Sequence, residues 1–422
     1  MTIKEDKPMA ERCIYPGTFL LPAPNVNPSA WACVACDQFT SQPEYWRRVD
    51  QLVGSSASSL RIILPECYLS QTEARVEIIH QAMKGYLARG VLQPRVQNGY
   101  VLMERNTPSG ARLGLVSLID LEMYDFQPGS HSPIRATEET IVSRLPARMA
   151  VRKDAPLELS HVLLLMDDPM HSVLDPLFAR RNEMEKLYDF PLMQRGGHLM
   201  GYAVTQPEHL DMIDKALEAL RPHGSLRFAV GDGNHSLACA KACWEAIKPT
   251  LTPEETCTHP ARFAMVELEN IHDDALSFKP IHRVVFGYDG DDLLEDLADY
   301  ANRHRMNLAA GYKGQPLTCV YEGKQVELSI SGSSHGLSVG TLQIFLDEWL
   351  QSHPSASVDY IHGEAAVREL AAKPNTVGFL LPKPDGSDLF ESVEANGPLP
   401  RKTFSLGEAN EKRYYMECRK LK

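Results

Sequence analysis

Val230-Gly231-Asp232-Gly233-Asn234-His235-Ser236-Leu237-Ala238 decides how the rest of the chain is read. An apolar run, Leu226 to Val230, ends in two glycines that bracket an acid. Polar residues then open a segment, Leu237 to Ile247, whose apolar residues recur at helical spacing. A strand, a tight turn and a helix start in that order make a phosphate cradle, because the first-turn N–H groups of a helix lack intrahelical partners and its dipole favours an anion. Gly231 and Gly233 let the backbone approach a ligand, and Asp232 between them can reach a metal or a hydroxyl. Asn234, His235 and Ser236 add side-chain donors. The plain alternative is a glycine-rich turn with Asn234 or Ser236 as an ordinary N-cap.

Working outward, His161 to Met166 and Phe263 to Leu268 are short apolar runs of strand type, and His209 to Leu220 has helical spacing. Strands interleaved with helices predict an α/β layer. Towards the amino terminus, Pro43 to Val53 and Thr72 to Arg89 read as helices, and Leu60 to Leu64, Tyr100 to Glu104 and Leu113 to Ile119 as strands. Thr107-Pro-Ser-Gly110 is a hairpin turn between the last two. Towards the carboxyl end the pattern predicts a hairpin (Thr318 to Tyr321, Gln325 to Ile330), a helix near Thr341 to Leu350 and a strand at Val358 to Ile361. A helix over Glu364 to Ala372 and a strand at Val377 to Leu381 follow. Pro/Gly-rich punctuation after Asp125 and around Tyr288 divides the chain into three blocks: 1–128, 129–290 and 291–422. The expected fold class is α/β (mixed α+β).

At 422 residues, 43% apolar and 23% charged, the chain is long enough for two or three domains of about 150 residues each and is neither disordered nor fibrous. Its net charge of −12 opposes binding to phosphate backbones and anionic membranes, so no nucleic-acid partner is expected. No apolar run approaches the roughly 18 residues of a membrane span. The charged start, Met1 to Lys7, has no apolar segment behind it, and nine cysteines, an odd number, do not read as a disulfide framework. A cytoplasmic location without membrane contact is expected.

Three segments in order carry a resemblance. Gly231-Asp-Gly-Asn-His-Ser236 looks like an Asp-Gly-His-His-Arg signature, Pro133-Ile-Arg-Ala-Thr-Glu-Glu-Thr140 resembles an Arg-Pro-His-Glu-x-Thr segment, and Lys279-Pro-Ile-His-Arg283 a Pro-Thr-His-Arg segment. Together they are similar to a bacterial domain-of-unknown-function family related to ParB/sulfiredoxin-like free serine kinases. The resemblance implies a ParB/sulfiredoxin-like core with additional α+β regions at both ends. It also implies a phosphotransferase acting on the hydroxyl of a small polar metabolite such as free serine, with a nucleotide (ATP or ADP) and magnesium as cofactors. By motif position, Glu138 is the candidate base and Asp232 and His235 share the catalytic site. Gly231, Gly233, Asn234 and Ser236 lie at the phosphates.

Two positions depart from the pattern: Thr137 stands where the family has histidine, and Ser236 where it has the motif's arginine. The missing cation could come from Arg144, Arg148 or Arg283, since a guanidinium clamps phosphate oxygens bidentately, and His282 would sit beside Arg283 at a strand start. Phosphoryl transfer needs little more than an aligned hydroxyl, a carboxylate for its proton and cations for the developing charge. The bland counterpart is a solvated helix in which Glu138 and Glu139 pair with Arg144 and Arg148. From a different class comes a nucleotide-binding regulatory module without catalysis, like the ParB members of the same broad group.

Secondary candidates are Asp37, at the polar end of an expected strand Trp31 to Cys36, His362 at a strand-to-helix turn, and the Arg401-Lys402 pair in Pro398-Leu-Pro-Arg-Lys-Thr403. Gly196-Gly-His198 is either an anion loop or a turn. A Cys₄ zinc site would require Cys33 and Cys36 to meet Cys239 and Cys243; buried thiols acting as small hydrophobes are expected instead, with no structural zinc and no metal ligand set assigned.

Overall fold

In the computed structural model, which describes residues 12–40, 42–142, 145–311, 313–383 and 389–422, the Thr107-Pro-Ser-Gly110 turn closes a long antiparallel hairpin. Leu92–Thr107 pairs with Gly110–Asp120, with Thr107 opposite Gly110. Along the first of these strands Val101 and Met103 enter one apolar cluster, whereas Tyr100 and Leu102 enter another. This period-two alternation makes a sheet covered on both faces. The chain is mixed α/β, and it forms two compact units: Met1–Ser277 with Gly407–Lys422, and Phe278–Leu406.

The first unit is built on an eleven-stranded sheet among the described residues. Its central order runs Tyr124–Asp125, Ile134–Ala136, Phe228–Asp232, Leu163–Met166, Phe263–Asn270, Gly110–Asp120, Leu92–Thr107, His198–Val204, Glu185–Pro191. One arrangement matters most for the site. Ile134–Ala136 and Phe228–Asp232 are neighbours and parallel, with Val230 opposite Ala136, so both strands release their following residues at the same sheet edge. Trp244 of the Asn234–Ile247 helix packs against this face with Leu164 and Val230.

The carboxyl-terminal segment Gly407–Lys422 threads back through this unit. Leu20 and Cys418 exchange two backbone hydrogen bonds, the Tyr415 N–H donates to the Cys33 carbonyl, and Arg419 lies opposite Glu158 in a short antiparallel pair. The second unit has a seven-stranded sheet among its described residues, centred on Phe278–Phe286, Thr376–Leu380 and Gln315–Tyr321. Leu293, Leu342 and Phe345 pack on one face of it and Val367 on the other.

Several expectations need correction. Leu60 to Leu64 is not a strand: Ser58 accepts from the Leu60 N–H and caps a 3₁₀ turn, Ser59–Ile62, which buries Ile62, Ile63 and Leu64. Trp31 to Cys36 is not a strand either. Asn27 caps a short helix, Pro28–Trp31, and Val34 makes only an isolated bridge to Tyr414. His282 and Arg283 lie inside the Phe278–Phe286 strand rather than at its start. The helix containing Arg148 begins at Leu145, so Glu138 and Glu139 are not on it. Gly196 and Gly197 form the turn before His198–Val204; a Cβ on Gly197 would fall 1.9 Å from the Asn106 carbonyl oxygen.

Candidate functional site

The parallel pair of strands builds the site. Two residues beyond Val230 stands Asp232, and two beyond its partner Ala136 stands Glu138, so both acids follow the paired stretch of two adjacent parallel strands. Thr137 ties the strands together: its hydroxyl donates to the Val230 carbonyl at 2.5 Å and its N–H to Asn234 Oδ1 at 3.2 Å. The His235 Nε2 accepts from the Ile141 N–H at 3.2 Å. Thr137, Asn234 and His235 therefore hold the 137–141 stretch against the turn, which gives Thr137 a structural use here.

The turn keeps one side towards water. Gly231, Gly233 and Asn234 are buried, but Asp232, His235 and Ser236 are half-buried. Gly233 is the N-cap of the Asn234–Ile247 helix and, as glycine, brings no capping side chain to it. Its φ is +77°, and a Cβ there would meet the Val162 Cα at 3.0 Å. Gly233→Ala is accordingly expected to cost about 1–3 kcal/mol. Urea denaturation checks this, and an unchanged midpoint would contradict the tight fit.

The other predicted residues fall as follows. Arg148 pairs with Glu66, and both line a cavity of about 120 Å³ that Ser236 and His161 also line. Ile62 and Met83 line it as well. Arg144 lies outside the described residues. Arg283, His282, His362, Arg401 and Lys402 belong to the second unit. There Arg283 is fully buried and donates to Gln343 Oε1 and to the carbonyls of Ile281, Arg401 and Lys402. His282 Nδ1 accepts from the Leu381 N–H, and burial lowers its pKa. Arg401 donates to the Tyr360 hydroxyl and pairs with Asp347, Lys402 has a positive φ of 59°, and His362 is exposed where its strand ends.

Residues absent from the sequence reading surround the turn. Lys412 Nζ lies 2.9 Å from Asp232 Oδ2, with 6% of its side chain exposed. His161 Nε2 is 3.5 Å from Asp37 Oδ2, and its Nδ1 is 2.7 Å from the Tyr415 hydroxyl, which also accepts from the Cys36 N–H. No local motif announces Lys412, His161 or Tyr415, because strand order and the returning carboxyl-terminal segment bring them in. Burial alone would raise the Asp37 carboxyl, but the His161 imidazolium, aided by Gln38 and Lys412, holds it well below the carboxylate range. Burial alone would lower His161, yet Asp37 and Cys36 hold it well above the usual imidazole range. Burial and the neighbouring Asp37 raise Glu66 against the pull of Arg148.

A pH dependence follows. The depressed Asp37 contributes stability above its unfolded pKa of about 4 and loses it as pH falls through the lowered value. The elevated His161 contributes fully below about 6.5 and loses its share as pH rises through the raised value. The melting-temperature difference between wild type and Asp37→Asn is expected to be largest between about pH 4 and 6.5 and to narrow on both sides. A difference flat from pH 3 to 10 would contradict the ion pair.

Magnesium, implied by the motif resemblance, does not fit the donors present. Asp232 Oδ1 accepts from the Gly233 N–H at 2.9 Å and Oδ2 is taken by Lys412. Among the described residues no group of three or more His, Cys, Asp or Glu gathers to hold an ion. Cys33, Cys239 and Cys243 are buried, the last two in a small apolar cluster with Leu145. Among the described residues, no helix is long and apolar enough to cross a membrane.

The family described as protein of unknown function, DUF1015, matches residues 17–377, well over half of the chain. The chain belongs to that family. No curated protein matches it. Among solved structures it is similar to a mutant free serine kinase in complex with AMP, at 12% identity and a TM-score of 0.41, covering 72% of this chain and 92% of that one. SbnI from Staphylococcus aureus, with a carboxyl-terminal truncation, is similar at 12% identity and a TM-score of 0.37, with 69% and 82% covered. A conserved hypothetical protein from Pyrococcus furiosus is similar at 11% identity and a TM-score of 0.36, with 72% and 95% covered.

Proposed function

We propose that the protein is a cytoplasmic phosphotransferase that moves a phosphoryl group from a nucleotide to the hydroxyl of a small polar metabolite, with free serine as the first candidate acceptor. One observation carries this reading: the glycine turn at 231–236 and the acid-bearing stretch at 137–140 leave adjacent parallel strands at one edge of the sheet. In open α/β sheets that edge is where ligands bind. The turn holds the donor's phosphates at the start of the Asn234–Ile247 helix, where the dipole favours negative charge. Glu138 accepts the acceptor's hydroxyl proton as its oxygen bonds to phosphorus, and the bond from phosphorus to the nucleotide's bridging oxygen breaks. Ser236 of the turn also lines the neighbouring cavity.

The reading is tested by incubating the purified protein with ATP or ADP and a pool of hydroxylated metabolites and following phosphorylated products by mass spectrometry. A phosphorylated metabolite is expected, phosphoserine first; no product from any donor would end the reading. The engagement of Thr137, Asn234 and His235 with one another and with the backbone favours a second reading, a nucleotide-binding module without catalysis. Tight nucleotide binding with no turnover would select it.

A further inference from the structure

We propose that Lys412 stands at the turn in the position a divalent cation would take, so that nucleotide phosphates are gripped by a fixed ammonium and not through a metal held by the protein. The inference rests on the reading that the turn binds phosphate. Ser236 leaves the turn without the arginine that the resembled motif carries, and the chain returns a buried ammonium, Lys412, to it from a distance of 180 residues in sequence. A second cation on Asp232 would have to displace the ammonium or sit against it. Lysine has three donors, and among the described residues Asp232 is the one acceptor in reach of Nζ, which leaves donors for phosphate oxygens.

The ammonium is also held in place. The Lys412 carbonyl accepts from Arg105 Nη1 at 3.1 Å. The next residue, Arg413, donates from Nε to the Ser160 carbonyl at 2.8 Å and pairs with Glu267 and Glu417. The Ala35 N–H donates to the Arg413 carbonyl. A cation whose backbone is anchored on both sides costs little reorganisation when an anion arrives.

Calorimetric titration of the full chain with ADP, in magnesium and in EDTA, tests the proposal on wild type, Lys412→Met and Lys412→Arg. Wild type is expected to bind ADP in EDTA within about threefold of its affinity in magnesium, and Lys412→Met about tenfold or more weakly in both. A tenfold loss for wild type in EDTA, or equal binding by folded Lys412→Met, would overturn it. Should Lys412→Met fail to melt cooperatively, the EDTA arm on wild type decides alone, and folded Lys412→Arg must bind ADP in EDTA. Wild type that binds no ADP in either buffer removes the phosphate reading and this inference with it. Magnesium-dependent binding removes only the role of Lys412.

Discussion

If the proposed reading holds, Glu138→Gln is expected to lower turnover by about 10²- to 10⁴-fold while nucleotide affinity stays within about twofold of wild type. The amide matches the carboxylate in size but cannot accept the acceptor's proton, so a transition-state interaction is lost with little change in ground-state binding. Glu138 is half-buried beside the turn, and the neighbouring Thr137 is fixed by three contacts to Val230 and Asn234. Steady-state kinetics with the metabolite identified as acceptor, together with a nucleotide titration, checks the split. Unchanged turnover would remove Glu138 from the chemistry, and a parallel loss of nucleotide affinity would make it a ligand of the donor.

Arg413→Met is expected to destabilise the protein by about 3–5 kcal/mol, the usual cost of removing one partner from a buried ion pair. Arg413 is 1% exposed, and its guanidinium lies between Glu267 and Glu417, which are 0% and 1% exposed. Methionine fills much of the volume but leaves two carboxylates buried without their cation. Burial alone would raise the Glu267 carboxyl, but Arg413 and Arg112 hold it below the ordinary carboxylate range. Its contribution is thus present above about pH 4.3 and is lost as pH falls through the lowered value, so the gap between wild type and variant should shrink in acid. Guanidinium denaturation at pH 7 and pH 4 measures both. A loss below about 1 kcal/mol at pH 7 would mean that the two acids find other partners or take up protons without cost.

The hairpin at Thr107 to Gly110 was readable because Pro-Ser-Gly interrupts two alternating apolar runs, and the helices at Pro43–Val53 and Thr72–Ala88 because their apolar spacing is sustained. Leu60 to Leu64 misled because five residues of apolar character are too short to tell a strand from a buried turn, and the decisive signal was the Ser58 cap. Trp31 to Cys36 misled for a similar reason, although Asn27-Pro28 is an N-cap followed by proline at the first helical position.

In the candidate site, the glycine turn and the Glu138 stretch were legible as motifs, but their adjacency depends on strand order, which local pattern does not encode. Lys412, His161 and Tyr415 were invisible for the same reason. The pairing of Val34 with Tyr414 and of Glu158 with Arg419 joins residues more than 250 positions apart. Arg283 shows the converse: a guanidinium that looks suited to phosphate in sequence is spent on Gln343 and on the backbone of its own unit.

On the proposed reading, the turn at 231–236 and Glu138 share one cleft that takes a nucleotide's phosphates. A crystal structure of the full chain with ADP tests it most directly. The terminal phosphate is expected at the amino end of the Asn234–Ile247 helix, within hydrogen-bond reach of the turn's N–H groups and open to Glu138 on one side. ADP seated elsewhere on the chain, with that helix start facing only protein, would contradict it.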